Sequence, residues 1–433
     1  MVAVLLGGQA TTTDSGKANQ AVALAREDLE KKQVDAKVNY NGLTSSTSQY
    51  GEFTRAVSVE TVDANTKRVK SRVSWADDPL RVQAVELITL VTNWRDLQAS
   101  GGDSGGGGTS GDWMNPQTLG SIDLGAGVSA TDLDVLNKYV YLSASASDGK
   151  KPDIFIVDAT NGQTPVILGS TSTGPGLLSI DTASSTAFAG NDKTNEQLHI
   201  IDVSNRAAPI LKSTFQLPGV SGAGAVGQSI FYNASKIYLG TKSASGPEFH
   251  IVDVANELAP ASAGSREISA DVNMIVVASG IAYIATSDDN EELKILDVSN
   301  PANITPLGSF NAAGTADGTS LYLYGTTLYL GRKDSGDPDF YILDAGNPAQ
   351  IVTLGSKDIG SDINGIVVRD ILAFIGTSHA NQEFQVWNVS TPANITLWSS
   401  FNFPQIATGI DFEDNLVYVS VRSNDALRII TSQ

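Results

Sequence analysis

The sequence predicts a mainly β protein: a seven-bladed β-propeller with a composite closing blade, preceded by one α-helix and a small antiparallel sheet. Three observations predict it. One phrase recurs seven times after residue 110, a second phrase follows it at a fixed distance in six units, and the seventh copy of that second phrase stands at the front of the array.

The first phrase reads IFIVDATNG (154–162), LHIIDVSNR (198–206), FHIVDVANE (249–257), LKILDVSNP (293–301), FYILDAGNP (340–348), FQVWNVSTP (384–392) and LRIITSQ (427–433). Its turn position is Asp158, Asp202, Asp253, Asp297, Asp344, Asn388 and Thr431, with steps of 44, 51, 44, 47, 44 and 43 residues. That period suits four short strands per unit. Asp or Asn followed by Ser, Ala or Gly and then Asn or Pro is turn chemistry, with the side chain accepting backbone N–H groups at a strand exit. A structural turn is therefore expected at these positions, not a ring of functional carboxylates.

The second phrase is VILGS (166–170), ILKS (210–213), ASAGS (261–265), PLGSF (306–310), TLGSK (353–357) and LWSSF (397–401), and its displaced copy is TLGSI (118–122). If that early strand completes the last unit, the ring closes without an unpaired edge. Two further strands lie between the phrases, as in VNMIVVASG (272–280) and IAYIATS (281–287), where β-branched and aromatic residues alternate with small ones.

The segment GGDSGGGGTSG (101–111) has the composition of a flexible coil, so the expected organisation is a helix-and-sheet domain over 1–100, a linker over 101–112 and the propeller over 113–433. In the first domain, Ala18, Ala21, Val22, Ala25 and Leu29 form one apolar helix face, with Arg26, Glu27, Asp28 and Glu30 opposite. MVAVLLGG (1–8) reads as a second helical candidate. FTRAVSVETV (53–62) and KRVKSRVSWA (67–76) read as strands, the latter with Val69, Ser71, Val73 and Trp75 on one face. VQAVELITLVTNW (82–94) suits either strand or helix, and its β-branched content favours strand.

Charge and composition exclude several functions. Formal net charge is -19, and since residues 1–100 hold 12 basic and 12 acidic residues, the whole excess lies in the repeat region. Such a surface does not displace phosphate counterions, which argues against nucleic acid and anionic lipid as partners. There are no cysteines, hence no disulfides or thiolate sites. No apolar run is long enough to cross a bilayer, and the short start lacks the basic region of a secretory signal, as expected of a processed product or of a chain whose export is not encoded here.

No nucleophile-elbow, zincin, P-loop or dinucleotide-binding pattern occurs, and no cofactor is expected. Acidic residues gather between the second and third strands: Asp148 and Asp153, Asp192 and Glu196, Asp288, Asp289, Glu291 and Glu292, and Asp334, Asp337 and Asp339. They read as a solvated rim, with Asp288, Asp289, Asp334 and Asp337 the candidates should a hard cation bind. His199 and His250 hold one repeat position and read as packing, and His379 completes the histidines. A cation-dependent enzyme needs carboxylates or histidines on several first strands; these read as apolar, apart from Arg369 and Asp370. Sequons stand at Asn233, Asn303, Asn388 and Asn394.

The phrases LHIIDVSN and LKILDVSNPANITPLGS resemble the LVIVD repeat, a β-propeller repeat of bacterial and archaeal surface proteins, over about 117–433. That resemblance implies a surface interaction module and supplies no catalytic motif. ANQAVALAREDLEK, YGEFTRAVSVETVD, KRVKSRVSW and VELITLVTNW, within 1–97, resemble the spine helix and sheet of type IV minor pilins and pseudopilins. This second resemblance implies a cell-surface filament subunit that self-associates through Ala18, Ala21, Val22, Ala25 and Leu29, meets the membrane only during assembly if the spine helix is longer in the precursor, and displays the propeller to a protein or glycan for adhesion or recognition. The alternatives are a secreted or surface propeller outside any filament, either a binding protein or a cation-dependent enzyme, and a secretion-system pseudopilin.

Overall fold

The computed structural model describes residues 3–6, 14–39, 43–63, 66–78, 81–92, 109–146, 149–174, 176–403 and 405–432. They form two compact units, 1–97 and 98–433. Among them no helix is long and apolar enough to cross a membrane.

In the first unit, β1 (Ala3–Leu6), α1 (Asp14–Asn39), β2 (Ser46–Tyr50), β3 (Phe53–Asp63), β4 (Thr66–Asp78) and β5 (Arg81–Thr92) give a five-stranded antiparallel sheet ordered β1-β5-β4-β3-β2. The described part of the 82–94 run, 82–92, is a strand, as its composition favoured, and 93–94 lie outside the described residues. The helical candidate at the start is corrected: Ala3–Leu6 pairs with Leu87, Ile88 and their neighbours, since four apolar residues gain more by completing a sheet edge than by starting a helix. Val69, Ser71, Val73 and Trp75 are all buried, as alternation requires.

The apolar face of α1 lies on this sheet. Ala21, Ala25 and Leu29 are buried, and Ala18 and Val22 pack at the edge of the same core with Phe53, Val73, Trp75 and Leu87. Arg55 clamps Asp28 through Nε at 3.1 Å and Nη2 at 2.5 Å, and Ser71 Oγ donates to the same carboxylate at 2.9 Å. The face assigned to self-association is therefore corrected to an internal one, because the unit's own sheet covers it.

In the second unit, seven four-stranded antiparallel sheets are found among the described residues. We number them I to VII and letter their strands a to d outward. The a strands are Val128–Leu136, Leu177–Ala183, Ser229–Asn233, Val272–Ala278, Gly318–Tyr324, Ile363–Arg369 and Ala407–Glu413. Each packs on the next, and the seventh packs on the first, so the ring is closed. Strand d of sheet VII is Gln117–Asp123, paired with Asp425–Thr431 as the displaced phrase predicted.

The two phrases meet across the seams. A Cβ on Gly264 would lie 1.9 Å from the Pro301 carbonyl, and one on Gly355 would lie 1.7 Å from the Pro392 carbonyl. The glycine of the second phrase is thus needed because the next unit's turn presses its backbone there. Sheet II has Ser213 instead, whose hydroxyl donates to the Glu257 carbonyl. Sheet VI has Ser399, and its hydroxyl donates to the Trp113 carbonyl at 2.6 Å.

Trp113 is fully buried and meets Phe374 edge-on at 4.7 Å between ring centres. Just before it, the Thr109 amide and hydroxyl donate to Asp370 at 2.7 and 2.9 Å, and the Ser110 amide donates to Asn415 at 2.7 Å. The last residues of the glycine-rich segment are thus pinned to the a–b turns of sheets VI and VII.

Candidate functional site

Strand a runs from the d–a loops, which share one face with the b–c loops, to the a–b turns, which share the other with the c–d turns. Near its start the ladder skips one residue in six sheets: Thr131, Leu178, Asn273, Thr319, Asn364 and Thr408. A bulge re-aims its side chain, and these residues, with Gln228 of sheet III, form a collar around an axial cavity of about 730 Å³.

The collar spends its donors on the seams. Asn273 Nδ2 donates to Gly318 O at 2.7 Å, Asn364 Nδ2 to Ala407 O at 2.8 Å, Thr131 Oγ1 to Leu177 O at 2.7 Å, Thr319 Oγ1 to Ile363 O and Thr408 Oγ1 to Ala130 O at 3.4 Å. Two positions further in, Leu133, Ile180, Ile230, Leu321, Ile366 and Ile410 line the cavity as an aliphatic ring.

Carboxylates occupy one wall. Asp134, Asp181 and Asp411 share a repeat position in sheets I, II and VII, and each accepts an N–H from the following sheet: Thr182 at 2.8 Å, Tyr232 at 2.6 Å and Val135 at 2.8 Å. Asp132 accepts from Ile180 at 3.2 Å. Asp132, Asp134 and Asp181 line the cavity, and Asp134 Oδ1 is buried without a hydrogen-bond partner. Desolvation raises Asp132 and Asp181 to about 7 and holds Asp134 and Asp411 well above the carboxylate range, with the neighbouring acids adding to the rise at Asp134.

Cations stand at the mouth. Lys242, Lys333 and Arg422 occupy one repeat position, within two residues of the end of strand b in sheets III, V and VII, and all three are exposed and line the cavity. Lys333 pairs with Asp317 at 2.5 Å, whereas Lys242 and Arg422 have no side-chain partner among the described residues. Asp271 lines the same mouth and accepts the Ser243 amide at 2.7 Å, so the cavity has a mouth of both charges, a polar collar and a wall of carboxyl groups.

These groups were not the residues singled out from the sequence. Asp158, Asp202, Asp253, Asp297 and Asp344, like Asn388, each accept through Oδ1 the amide two residues on, at 2.9 Å. They sit on the c–d turns, at the face opposite the cavity mouth. Asp288 is held by Lys294 at 2.8 Å, which lowers its pKa, and Asp289 is exposed. Asp334 lies with Asp339 and Asp358, their carboxylate oxygens within 4.8 Å of one another, and Asp337 is outside that group. Asp148 lies outside the described residues. His199 and His250 are buried in strand c, and desolvation takes His199 down to about 4. His379 caps its own loop, its Nδ1 accepting the Asn381 amide at 3.1 Å. Arg369 and Asp370 separate: the guanidinium packs 4.7 Å from the Phe412 ring centre, and the carboxylate holds Thr109.

Two repeated acidic positions were missed. One is the wall itself, legible as the Asp of TDLDV, SIDTA and GIDFE once the a strands are aligned. The other lies five residues before each turn position: Asp153, Gln197, Glu248, Glu292, Asp339 and Glu383. Each is buried and accepts a backbone amide 20 residues on, from Thr173, Leu217, Ile268, Ala312, Ile359 and Phe403. Asp153, Glu292 and Asp339, read as rim, are corrected to buried braces of the d–a loops.

The LVIVD repeat model matches residues 192–216 and 270–312. No curated protein matches the chain in sequence. Among solved structures it is similar to the Cps50 (Swd1) β-propeller domain of Myceliophteria thermophila, at 11% identity over 74% of this chain and 100% of that one, with a TM-score of 0.55. It is also similar to the WD40 β-propeller domain of Doa1, at 14% identity over 74% and 97% with a TM-score of 0.53, and to a chain of the mitotic checkpoint complex, at 14% over 76% and 96% with a TM-score of 0.53. At these identities the likeness is one of fold: the repeat region is a β-propeller carrying LVIVD repeats.

Proposed function

We propose that this chain is a non-catalytic recognition protein: a seven-bladed propeller that binds its ligand in the axial cavity, carried by a pilin-like first unit at the cell surface. The observation that carries the reading is the opposition of two faces. Thr109 and Ser110 are pinned to the propeller on the turn face, and the cavity opens on the loop face. A cavity of about 730 Å³ is within the range that holds small molecules or one end of a larger partner.

The non-catalytic part is supported by the lining. It contains no histidine, and its carboxylates bond to backbone amides of neighbouring sheets. The binding partner is a surface protein or glycan, in keeping with the interaction role that the repeat resemblance implies. Attachment to a pilus rests on the resemblance of 1–97, and with the α1 face covered, assembly would use other surfaces of that unit.

Peptide and glycan arrays probed with the full chain and with an Ile366→Trp variant test the reading. Ligands retained by the first and lost by the second support it, and ligands bound equally by both overturn it. Gold-labelled antibody against 113–433 on producing cells tests the setting: label along or at the tips of filaments supports it, and label without filaments removes the pilus.

A further inference from the structure

Neither end of the axial cavity presents an unbalanced charge to a ligand. At the mouth, Asp271, Asp317 and Asp362 share one repeat position, directly before strand a of sheets IV, V and VI, and stand among Lys242, Lys333 and Arg422. Lys333 is held charged by its bond to Asp317, at 2.5 Å, with Asp362 and Asp271 adding to the effect. Further in, Asp132 spends both oxygens on the Leu133 and Ile180 amides, at 2.9 and 3.2 Å, and Asp134 and Asp181 each hold an amide of the next sheet. These carboxyl groups serve the seams rather than a ligand.

What the cavity does offer is apolar surface beneath a polar collar. Leu133, Ile180, Ile230, Leu321, Ile366 and Ile410 keep between 2 and 9% of their surface exposed, and all of them line the cavity. Aliphatic groups left against water in a recess gain by covering an apolar group. The ring lies two residues beyond the collar, about 7 Å at ~3.3 Å per residue. A phenylalanine or methionine side chain spans that depth, and alanine or valine falls short. In the collar, Asn364 spends both amide hydrogens, on Ala407 O at 2.8 Å and Ser378 Oγ at 2.9 Å, which leaves its Oδ1 as an acceptor. Gln228 lines the same level with neither end of its carboxamide in a hydrogen bond among the described residues. These groups match the N–H and C=O of a peptide backbone, and a bare hydrocarbon chain would leave them idle.

We infer that the cavity takes one uncharged apolar side chain of a partner protein, of phenylalanine or methionine length, inserted past the collar to the aliphatic ring while its own backbone bonds to Asn364 and Gln228. The inference rests on the reading of the cavity as the recognition site, and it decides between the two partner classes left open there, because a glycan carries no apolar group of that reach. A charged side chain would lose its hydration at the ring with no free partner beyond it. The balanced mouth gives it no compensating pull.

Titration calorimetry on the full chain tests it with the acetylated and amidated tripeptide glycine-phenylalanine-glycine, its counterparts with methionine, alanine or lysine at the centre, and n-octanol, an apolar chain without amides. The phenylalanine and methionine peptides are expected to bind about tenfold or more tightly than the other three probes. Ile366→Trp, which fills the ring, is expected to abolish that binding. Gln228→Ala is expected to narrow the margin over n-octanol and keep the margin over the alanine peptide, and Lys242→Ala and Arg422→Ala are expected to change neither. An alanine or lysine peptide bound as tightly as the phenylalanine one, or no binding of any probe up to millimolar concentration, overturns the inference. Octanol bound as tightly as the phenylalanine peptide overturns the protein partner in favour of a lipid-like ligand. These comparisons on the unaltered chain decide the matter even where a variant fails to fold. A glycan from the array that is lost in Ile366→Trp also overturns the inference while leaving the cavity as the recognition site, whereas array ligands bound equally by both chains overturn that site itself.

Discussion

The Trp113 carbonyl accepts the Ser399 hydroxyl at 2.6 Å, the same bond that the Glu257 carbonyl accepts from Ser213 four sheets earlier. Glu257 belongs to a c–d turn, and sheet VII has no such turn because its d strand, Gln117–Asp123, comes from the other end of the array. The segment around Trp113 therefore supplies a substitute turn as well as the missing strand. Trp113→Ala empties a fully enclosed site against Phe374 and is expected to cost about 3–5 kcal/mol in denaturant unfolding, with sheets VI and VII losing amide protection first.

The glycine of the second phrase is a steric requirement. In Gly355→Ala the new methyl meets the Pro392 carbonyl at 1.7 Å, which neither turn nor strand can yield without moving a seam. The expected loss is about 2–3 kcal/mol, read by the same denaturant midpoint. An alanine at Gly336, where nothing lies within 4 Å but φ is +81°, separates backbone strain from the clash and is expected to cost about 1 kcal/mol.

Glu248 holds two amides, Ile268 and Ser269, both at 2.9 Å. Both go to one oxygen, Oε2, so Glu248→Ala leaves both without an acceptor and is expected to cost about 2–4 kcal/mol, whereas Glu248→Gln keeps an oxygen at that place and most of the stability. Hydrogen exchange at 267–271 checks the assignment, since these amides are expected to lose protection in Glu248→Ala and to keep most of it in Glu248→Gln.

Stability is expected to fall as pH rises. Asp132 and Asp181 go from an ordinary carboxyl near 3.8 when unfolded to about 7 when folded, so the folded chain binds the extra protons. Their ionisation costs nothing below the unfolded value and is felt progressively as pH climbs from there through about 7. Asp134 and Asp411 act in the same sense. His199, lowered to about 4, opposes them only as pH falls below its unfolded value of 6.5. The melting temperature is expected to be higher at about pH 6 than at about pH 8, and Asp134→Asn is expected to shrink the difference.

The repeating strands were legible because alternation and turn chemistry are local. Asp297 and its equivalents announce a strand exit from three neighbours in sequence. The cavity was not legible, because Asp134, Asp181 and Asp411 acquire a common environment only once the ring closes and brings their strands side by side. Glu292 and Asp339 misled for a related reason: an acid before an apolar strand looks exposed until the loop 20 residues on folds over it. Ala21, Ala25 and Leu29 show the limit on the first unit, since an apolar stripe demands a partner without specifying whether it is a second helix or the chain's own sheet.

Sheet VII joins Asp123 to Asn424 across 301 residues. During synthesis its outer strand leaves the ribosome long before the strand it must pair with, so six sheets stand with an open seam until Asp425–Thr431 has been made. Such an order makes the ring itself a check on integrity. A chain cut short before Asp425–Thr431 keeps most of its apolar interior yet cannot close, and it presents free strand edges at both sides of the gap, the kind of surface that proteases and chaperones remove.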